Sequence, residues 1–433
     1  MIDLEKIRSV YFIGIGGSGM SSIANMMIAK SKIVLGSDKE SSINTQELER
    51  RGTHIFYEQN GTNLSKEIEL VIYTVAIPDN NPELLKAKEL NIPLLSYPQI
   101  LNLISKEMIT IAIAGTHGKT TTTAMLAHIL KGAHIKPTVI VGSATINQKI
   151  NFIEGKGEYL LVEADEYRKS FLNLKPKYLV ITNIDEDHLD FFKNLEDIQN
   201  TFKDLVAKIP TDGFLVCDSA QPHLKPILEN IQCKVVKYES LSKEIKLLVP
   251  GHHNRQNAGA AFALASILGL SREIISKKLR SFRGVRRRFE YKGKTVQGAL
   301  IYDDYAHNPQ KILSALQGAR EMHPDKRIIA VFQPHLYSRT KTLLQSFKHS
   351  FKDADQVLLA PIYAAREEFD PSISSEILAR EIIKNGIWVE AYPSIEAIKI
   401  KLNQTLTKDV VVVILGAGDI TKLSETLIFS STY

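Results

Sequence analysis

The chain has 433 residues, which is enough for about three domains of ~150 residues each. Its 44% hydrophobic and 24% charged residues are typical of a globular protein, and they exclude a disordered or fibrous chain. The net charge of +6 is spread along the chain, so it does not require a nucleic-acid partner, and a small anionic substrate suffices.

The cysteines and the apolar runs indicate where the protein works. Cys217 and Cys233 lack the close Cys or His spacing of a zinc site and are expected to be reduced thiols. The N-terminus has no signal-peptide pattern, and the longest fully apolar run, Val410–Leu415, is too short to span a bilayer. These features predict a cytoplasmic protein that does not enter the membrane.

Short β-branched runs alternate with helical patterns along the chain, which predicts βαβ units and an α/β fold with parallel sheets. We expect strands at Val10–Ile15, Ile33–Leu35, Leu70–Tyr73, Ile109–Ala114, Tyr159–Val162, Tyr178–Ile181, Ile328–Phe332, Val357–Leu359 and Val410–Leu415. Asn308-Pro309 predicts the start of a helix that ends near Met322. Glycine-rich turns restart twice, which places the predicted domains at 1–106, 107–290 and 291–433.

The first glycine-rich turn, Gly14-Ile15-Gly16-Gly17-Ser18-Gly19, lies between an apolar strand and a helix. Glycines there let the backbone approach a diphosphate at the helix N-terminus. Asp38 follows the next strand, where it could bind a ribose hydroxyl. A UDP-sugar is favoured over NAD, because a full dinucleotide fold needs two such halves. A tight turn without a binding role is the alternative.

The second turn, Gly115-Thr116-His117-Gly118-Lys119-Thr120-Thr121, follows the strand that ends at Ile113 and Ala114. It is a shortened phosphate loop, because Ile113 stands where the strict pattern has glycine. Backbone amides of such a loop hold ATP phosphates, Lys119 would neutralise the β- and γ-phosphates, and Thr120 would bind Mg²⁺.

Two acidic clusters follow the next two strands: Glu163-Ala164-Asp165-Glu166 and the segment Asp185–Asp190, which contains His188. The carboxyl ends of parallel strands are where Mg²⁺ and its ligands are expected. Glu163 and His188 are the predicted ligands, although histidine is an uncommon ligand for Mg²⁺. Most of the other carboxylates are predicted to be solvated or to cap helices.

Later polar segments leave alternatives open. His252–Asn257 precedes a predicted helix at Ala258–Leu268 and could orient a nucleotide or cap that helix. The four arginines between Phe282 and Phe289 could reach phosphates or form a solvated linker. The last polar groups follow strands, where α/β sheets bind ligands: Tyr305 with His307, His335 with Arg339, and Gly416–Asp419, which is a plain turn or a cleft wall.

In this order, and with the Ala-Ile-Pro segment Thr74–Leu84, the motifs resemble the Mur ligase family over nearly the whole chain. The resemblance is strongest to the members that add L-alanine to UDP-N-acetylmuramic acid in bacterial peptidoglycan synthesis. It implies a three-domain α/β architecture with a Rossmann-like UDP-binding domain, a central P-loop ATPase domain and a Rossmann-like C-terminal domain. It also implies that ATP phosphorylates the muramate carboxylate and that the alanine amine attacks the acyl phosphate.

The resemblance implies roles for individual residues. The implied catalytic residues are Lys119, Glu163, His188, His335 and Arg339. The implied ATP-binding residues are Gly115, Thr116, His117, Gly118, Lys119, Thr120, Thr121, His253, Asn254, Asn257 and Arg288. The implied substrate-binding residues are Gly14, Gly16, Gly17, Ser18, Gly19, Asp38, Thr74, Arg287, Tyr305 and His307. The implied Mg²⁺ ligands are Thr120, Glu163 and His188.

The chain also departs from the family pattern. Many relatives have a second arginine where Leu336 stands, a Gly-His pair at Phe56-Tyr57, and an arginine near Ser96-Tyr97. Tyr167 resembles the recycling ligase that adds a preformed tripeptide to the same UDP-sugar, whereas Gly-Ser-Gly-Met and Ala-Ile-Pro favour the alanine ligase. A nucleotide-operated switch is the non-enzymatic alternative. The sequence does not predict an oligomeric state.

Overall fold

The computed structural model describes residues 2–141, 152–186, 191–365 and 367–429. The chain forms two compact units, one made of Met1–Lys246 with Gln256–Phe282 and the other of Leu247–Arg255 with Arg283–Tyr433. None of the described helices is both long and apolar enough to cross a membrane.

The first unit begins with a parallel five-stranded sheet. Its strands are β1 (Ser9–Ile13), β2 (Ile33–Ser37), β3 (His54–Phe56), β4 (Leu70–Tyr73) and β5 (Leu94–Ser96), in the order β3-β2-β1-β4-β5. Its helices are α1 (Ser18–Ala29), α2 (Ile43–Arg50), α3 (Pro82–Glu89) and α4 (Tyr97–Glu107). Strand β1 is buried on both faces because successive side chains alternate: Val10 and Phe12 join one core, and Tyr11 and Ile13 join another.

The second sheet of this unit holds the phosphate loop. Its strands are β6 (Ile109–Ala114), β7 (Thr138–Ile140), β8 (Phe152–Ile153), β9 (Tyr159–Glu163), β10 (Pro176–Ile181), β11 (Phe214–Cys217) and β12 (Lys234–Lys237). The following helices are α5 (Lys119–Gly132), α6 (Leu195–Val206), α7 (His252–Ile267) and α8 (Arg272–Arg280). The order is β12-β11-β10-β6-β9-β7-β8, with β8 antiparallel to β7. Strand β6 lies between β9 and β10, so the carboxyl ends of these three parallel strands meet at one edge.

The second unit contains the third sheet. Its strands are β13 (Glu290–Lys294), β14 (Leu300–Asp304), β15 (Arg327–Phe332), β16 (Gln356–Leu359), β17 (Val389–Ala391) and β18 (Val410–Leu415). Its helices are α9 (Pro309–Met322), α10 (Tyr337–Thr342), α11 (Leu344–Phe347), α12 (Ser375–Ile383), α13 (Ile395–Thr405) and α14 (Thr421–Phe429). The order is β13-β14-β18-β15-β16-β17, and β13 is antiparallel to β14. The central strand β18 is buried along its whole length.

All nine predicted strands are present, with ends within two residues of the prediction. The helix predicted at Asn308-Pro309 is confirmed, since the Asn308 side chain accepts a hydrogen bond from the Lys311 amide at 2.9 Å. The helix predicted at Ala258–Leu268 begins earlier, at His252, so the polar His252–Asn257 segment forms its first turns. The α/β fold class is confirmed, while the residue boundaries of the three domains stay predictions.

Candidate active site

The first glycine loop is held by neighbouring strand ends. Gly14 has φ +80°, and a Cβ on it would lie 2.5 Å from Thr74 Cγ2 at the end of β4. The Gly16 amide donates to Asp38 Oδ2 at 2.7 Å. The structure therefore brings together Gly14, Gly16, Asp38 and Thr74, as predicted. The Asp38 carboxylate therefore contacts the loop directly. It accepts a hydrogen bond from the Gly16 amide, although the amides of this loop were predicted to face a diphosphate.

The phosphate loop is held by two residues that follow β10. The amides of Thr116 and His117 donate to the backbone and side-chain oxygens of Asn183, at 3.0 and 2.8 Å. Thr182 Oγ1 donates to the His117 carbonyl at 2.6 Å. These hydrogen bonds define the loop between Gly115, with φ +128°, and Gly118, with φ +85°. The loop leads directly into α5, whose first residue is Lys119.

Gly118 touches the predicted ATP-binding residue Asn257, since a Cβ on Gly118 would lie 2.2 Å from Asn257 Oδ1. We therefore expect Gly118→Ala to weaken ATP binding at least about tenfold, because both the positive φ and the contact oppose a methyl group. Gly52→Ala is the matched control: Gly52 has φ +91°, but nothing lies within 4 Å of its Cβ position. Calorimetric ATP titration of both variants checks this, and equal affinities would contradict a specific role for the Gly118 contact.

Lys119 is paired with a buried carboxylate. Its Nζ donates to Glu166 Oε2 at 2.8 Å and Oε1 at 3.0 Å, and to the Gly115 carbonyl at 2.6 Å. The side chain of Glu166 is 3% exposed and that of Lys119 is 13% exposed. Burial lowers the pKa of Lys119, but Glu166, Asp165 and Glu163 outweigh it, so the pKa lies above its usual value. The lysine is a permanent cation beside the phosphate loop.

Thr120 and Glu163, two predicted metal ligands, lie in contact: Thr120 Oγ1 donates to Glu163 Oε1 at 2.7 Å. The third predicted ligand, His188, lies outside the described residues. Among the residues that are described, no group of three or more His, Cys, Asp or Glu side chains forms a metal site. Mg²⁺ needs only one or two protein ligands when phosphates and water complete its shell. The hydroxyl and carboxylate therefore fit an ion that binds together with ATP.

Asn254 and His253, the other two α7 residues predicted to bind ATP, contact residues that precede them closely in the chain. Asn254 Nδ2 donates to the Pro250 carbonyl at 2.6 Å. The imidazole of His253 packs against Gly251, and burial, reinforced by His252, lowers the pKa of His253 to about 4. Both residues belong to the second compact unit, whereas Asn257 belongs to the first. Within the first unit the structure thus brings Asn257 to the phosphate loop.

Two histidines form a neutral cluster at the carboxyl edge of the third sheet. The rings of His307 and His335 are 6.1 Å apart, and His335 stacks on Tyr363 at 5.6 Å. Arg339 Nη1 lies 3.2 Å from His335 Nδ1, which accepts when that nitrogen carries no proton. Burial lowers the pKa of His307 to about 3, and burial and Arg339 lower the pKa of His335. Both rings are uncharged near neutral pH, so each has a nitrogen able to accept a hydrogen bond.

Arg287 and Arg288 lie over the Tyr305 ring, at 4.9 and 5.6 Å from its centroid. Arg287 Nη2 donates to the Gly416 carbonyl at 2.6 Å, and its Nε lies 3.6 Å from the buried carboxylate of Asp303. Contacts within its own domain therefore hold Arg287. Its predicted role towards a substrate phosphate stays a prediction.

The chain matches three family models in succession: "Mur ligase family, catalytic domain" at residues 9–108, "Mur ligase middle domain" at 113–244 and "Mur ligase, glutamate ligase domain" at 287–418. It is 40% identical to the UDP-N-acetylmuramate–L-alanine ligase of Clostridium kluyveri, over 98% of both chains. The chain belongs to the Mur ligase family. The corresponding ligase of Clostridium novyi is 39% identical over 97% of both chains.

Solved structures of Mur ligases share this architecture. The UDP-N-acetylmuramate-alanine ligase of Thermotoga maritima has a TM-score of 0.83 at 28% identity, and the match covers 98% of this chain and 100% of that one. A murein peptide ligase of Psychrobacter arcticus has a TM-score of 0.70 at 24% identity, a likeness of fold alone. The predicted three-domain Mur ligase architecture is confirmed.

Sequence reasoning missed two residues of this Mur ligase site and one neighbour. Glu166 was one of the carboxylates of which most were expected to be solvated or to cap helices, but it is buried and paired with Lys119. Asn183 holds the phosphate loop, and its position directly after β10 was the signal that could have indicated it. Tyr363, in the loop after β16, packs on His335, in the loop after β15. No local sequence pattern predicts this contact. Of these, Glu166 changes the electrostatics of the site most.

Proposed function

We propose that this Mur ligase joins L-alanine to UDP-N-acetylmuramic acid in an ATP-dependent reaction of bacterial peptidoglycan synthesis, in the cytoplasm. The observation that carries the proposal is the pairing of Lys119 with Glu166 and of Thr120 with Glu163 at one phosphate loop. Relatives at 37% to 40% identity over nearly the whole chain bear the name of this ligase, which supports the choice of substrates.

The first step is the transfer of a phosphoryl group within the first unit. An oxygen of the muramate carboxylate attacks the γ-phosphorus of ATP, and ADP leaves with the electrons of the broken P–O bond. Because the Thr116 and His117 amides donate to Asn183, the backbone amides at the start of α5 and the Lys119 ammonium are the groups proposed to hold the phosphates. Thr120 and Glu163 would hold Mg²⁺, with His188 as the further predicted ligand. The bound ion would neutralise charge on the phosphoryl group. Asn257 completes the loop beside Gly118.

The second step needs an uncharged amine, because an ammonium has no lone pair with which to attack the acyl phosphate. His335 and His307 are neutral near physiological pH and are proposed to orient the amine by accepting hydrogen bonds from its N–H groups, while its excess proton is lost to water. Arg339, next to His335, is proposed to bind the alanine carboxylate or the acyl phosphate. Attack on the acyl carbon gives a tetrahedral intermediate, which expels phosphate and leaves the amide.

The remaining predicted residues are assigned to the two nucleotides. The loop residues Gly14, Gly16, Gly17, Ser18 and Gly19, with Thr74 and Asp38, are proposed to bind the UDP-sugar. Arg287, Arg288 and Tyr305 are proposed to face substrate phosphates, and His253 and Asn254 the ATP side. The arginines are suited to this role because a planar guanidinium can bind phosphate oxygens through two parallel hydrogen bonds.

A phosphate-release assay tests the function. With ATP and Mg²⁺ present, release is expected only when both UDP-N-acetylmuramate and L-alanine are added. Equal phosphate release without L-alanine would contradict the proposal. Release that requires the tripeptide L-Ala-γ-D-Glu-meso-diaminopimelate in place of alanine would assign the recycling ligase. ATP binding without any substrate-dependent release would favour a nucleotide-operated switch.

A further inference from the structure

Tyr97, the first residue of α4, reaches the glycine loop of the first domain. A Cβ on Gly19 would lie 2.5 Å from both the hydroxyl oxygen and Cζ of Tyr97, so the tip of the ring covers the loop at Gly19. Tyr97 is half-buried, with its ring packed against the core that contains Ile100 and Ile104. The hydroxyl therefore lies at the loop assigned to the UDP-sugar.

Helix α4 also packs against the second domain. Leu101 belongs to the same buried core as Phe171 and Leu174, which follow the acidic cluster after β9. Asn102 Nδ2 donates to the Asn173 carbonyl at 2.6 Å. Helix α4 thus packs against both domains, which fixes the position of Tyr97 relative to the glycine loop and to the acidic cluster. No flexible linker separates α4 from β6, the first strand of the second sheet.

The hydroxyl of Tyr97 is an unused donor at the glycine loop, on a helix that packs against the segment after the acidic cluster. Among the described residues, none forms a hydrogen bond with it. Burial, followed by the charges of Asp165 and Glu163, raises the pKa of Tyr97 far above its usual value. A phenol offers a hydrogen-bond donor where the neighbouring acidic segment offers only acceptors.

A substrate carboxylate has to pass this point if the proposed function holds. The diphosphate of the UDP-sugar binds at Gly14–Gly19, and the muramate carboxylate has to meet the γ-phosphate near Lys119 and Glu163. Tyr97 touches the first of these places, and its helix packs against the segment that follows the acidic cluster after β9. A neutral donor there offsets the repulsion between an incoming carboxylate and the acidic cluster without competing for Mg²⁺.

We propose that Tyr97 is a substrate-binding residue whose hydroxyl donates a hydrogen bond to the carboxylate of UDP-N-acetylmuramate. The inference rests on the proposed function and deepens it, since it names the group that recognises the lactyl arm of the substrate. UDP-N-acetylglucosamine lacks that arm and therefore offers no carboxylate to the Tyr97 hydroxyl.

The test compares these two ligands by calorimetry without ATP. Tyr97→Phe keeps the ring on Gly19 and is expected to weaken UDP-N-acetylmuramate binding by about ten- to a hundredfold, the effect of one hydrogen bond to a charged group. Binding of UDP-N-acetylglucosamine is expected to stay within twofold of the wild type. Tyr97→Met, which removes the hydroxyl with a different side chain, is expected to show the same selective loss. Tyr291→Phe, at an exposed position of the third sheet, is the matched control and is expected to change neither affinity.

Unchanged UDP-N-acetylmuramate affinity in both Tyr97 variants would overturn the inference. An equal loss for both ligands would also overturn it, because Tyr97 would then act by shaping the glycine loop. These outcomes leave phosphate release by the wild type untouched, so they are distinguishable from failure of the proposed function. A wild-type protein that does not bind UDP-N-acetylmuramate would overturn the function and the inference together.

Discussion

Lys119→Met is expected to lower substrate-dependent phosphate release by about a hundred- to a thousandfold, because the buried Lys119 ammonium is proposed to neutralise the charge of the transferred phosphoryl group. UDP-N-acetylmuramate binding is expected to change less than twofold, since that ligand is assigned to the loop of the first sheet. Steady-state rates and a calorimetric titration without ATP measure the two effects. Loss of UDP-sugar affinity of tenfold or more would contradict this division between the domains.

The same substitution is expected to destabilise the fold. Removing Lys119 leaves the buried Glu166 carboxylate without its cation, and breaking such a pair costs about 3–5 kcal/mol. The double variant Lys119→Met, Glu166→Gln is expected to recover most of this stability in urea unfolding but none of the activity. Lys131→Met, at the exposed end of the same helix, is the control and is expected to preserve both. A double variant as unstable as the single one would contradict the ion pair's role.

Glu163→Gln is expected to lower turnover by about a hundredfold or more and to raise the Mg²⁺ concentration needed for half-maximal rate. The amide oxygen can still accept the hydrogen bond from Thr120, so unfolding in urea is expected to stay close to the wild type. The substitution removes the negative charge and keeps the shape, which isolates the electrostatic contribution to metal binding.

Glu158→Gln is the matched control for Glu163. Glu158 is exposed and lies just before β9, at the end of the strand opposite to the phosphate loop. Its substitution is expected to change neither the rate nor the Mg²⁺ dependence. If Glu163→Gln retained the wild-type Mg²⁺ midpoint with a reduced rate, Glu163 would act on the substrate and not on the metal.

Local sequence was sufficient for the buried strands and for the two loops. Runs such as Ile109–Ala114 and Val410–Leu415 were predicted with their observed bounds, because central parallel strands are apolar on both faces. Short strands such as β3, β7 and β17 were missed, since they have only three residues and weak patterns. The start of α7 was also missed, because a polar first turn resembles a loop.

The sequence by itself determined the α/β class, the positions of both glycine loops, and the residue types proposed to hold phosphate and metal, since each depends on a short stretch of chain. Only the tertiary structure decided what those residues meet. Glu166 pairs with Lys119, Asn257 closes on Gly118, and Tyr97 covers Gly19, although the partners are 47, 139 and 78 positions apart. Such partners depend on which strand ends share a sheet edge and how helices pack across them. No local pattern carries that information.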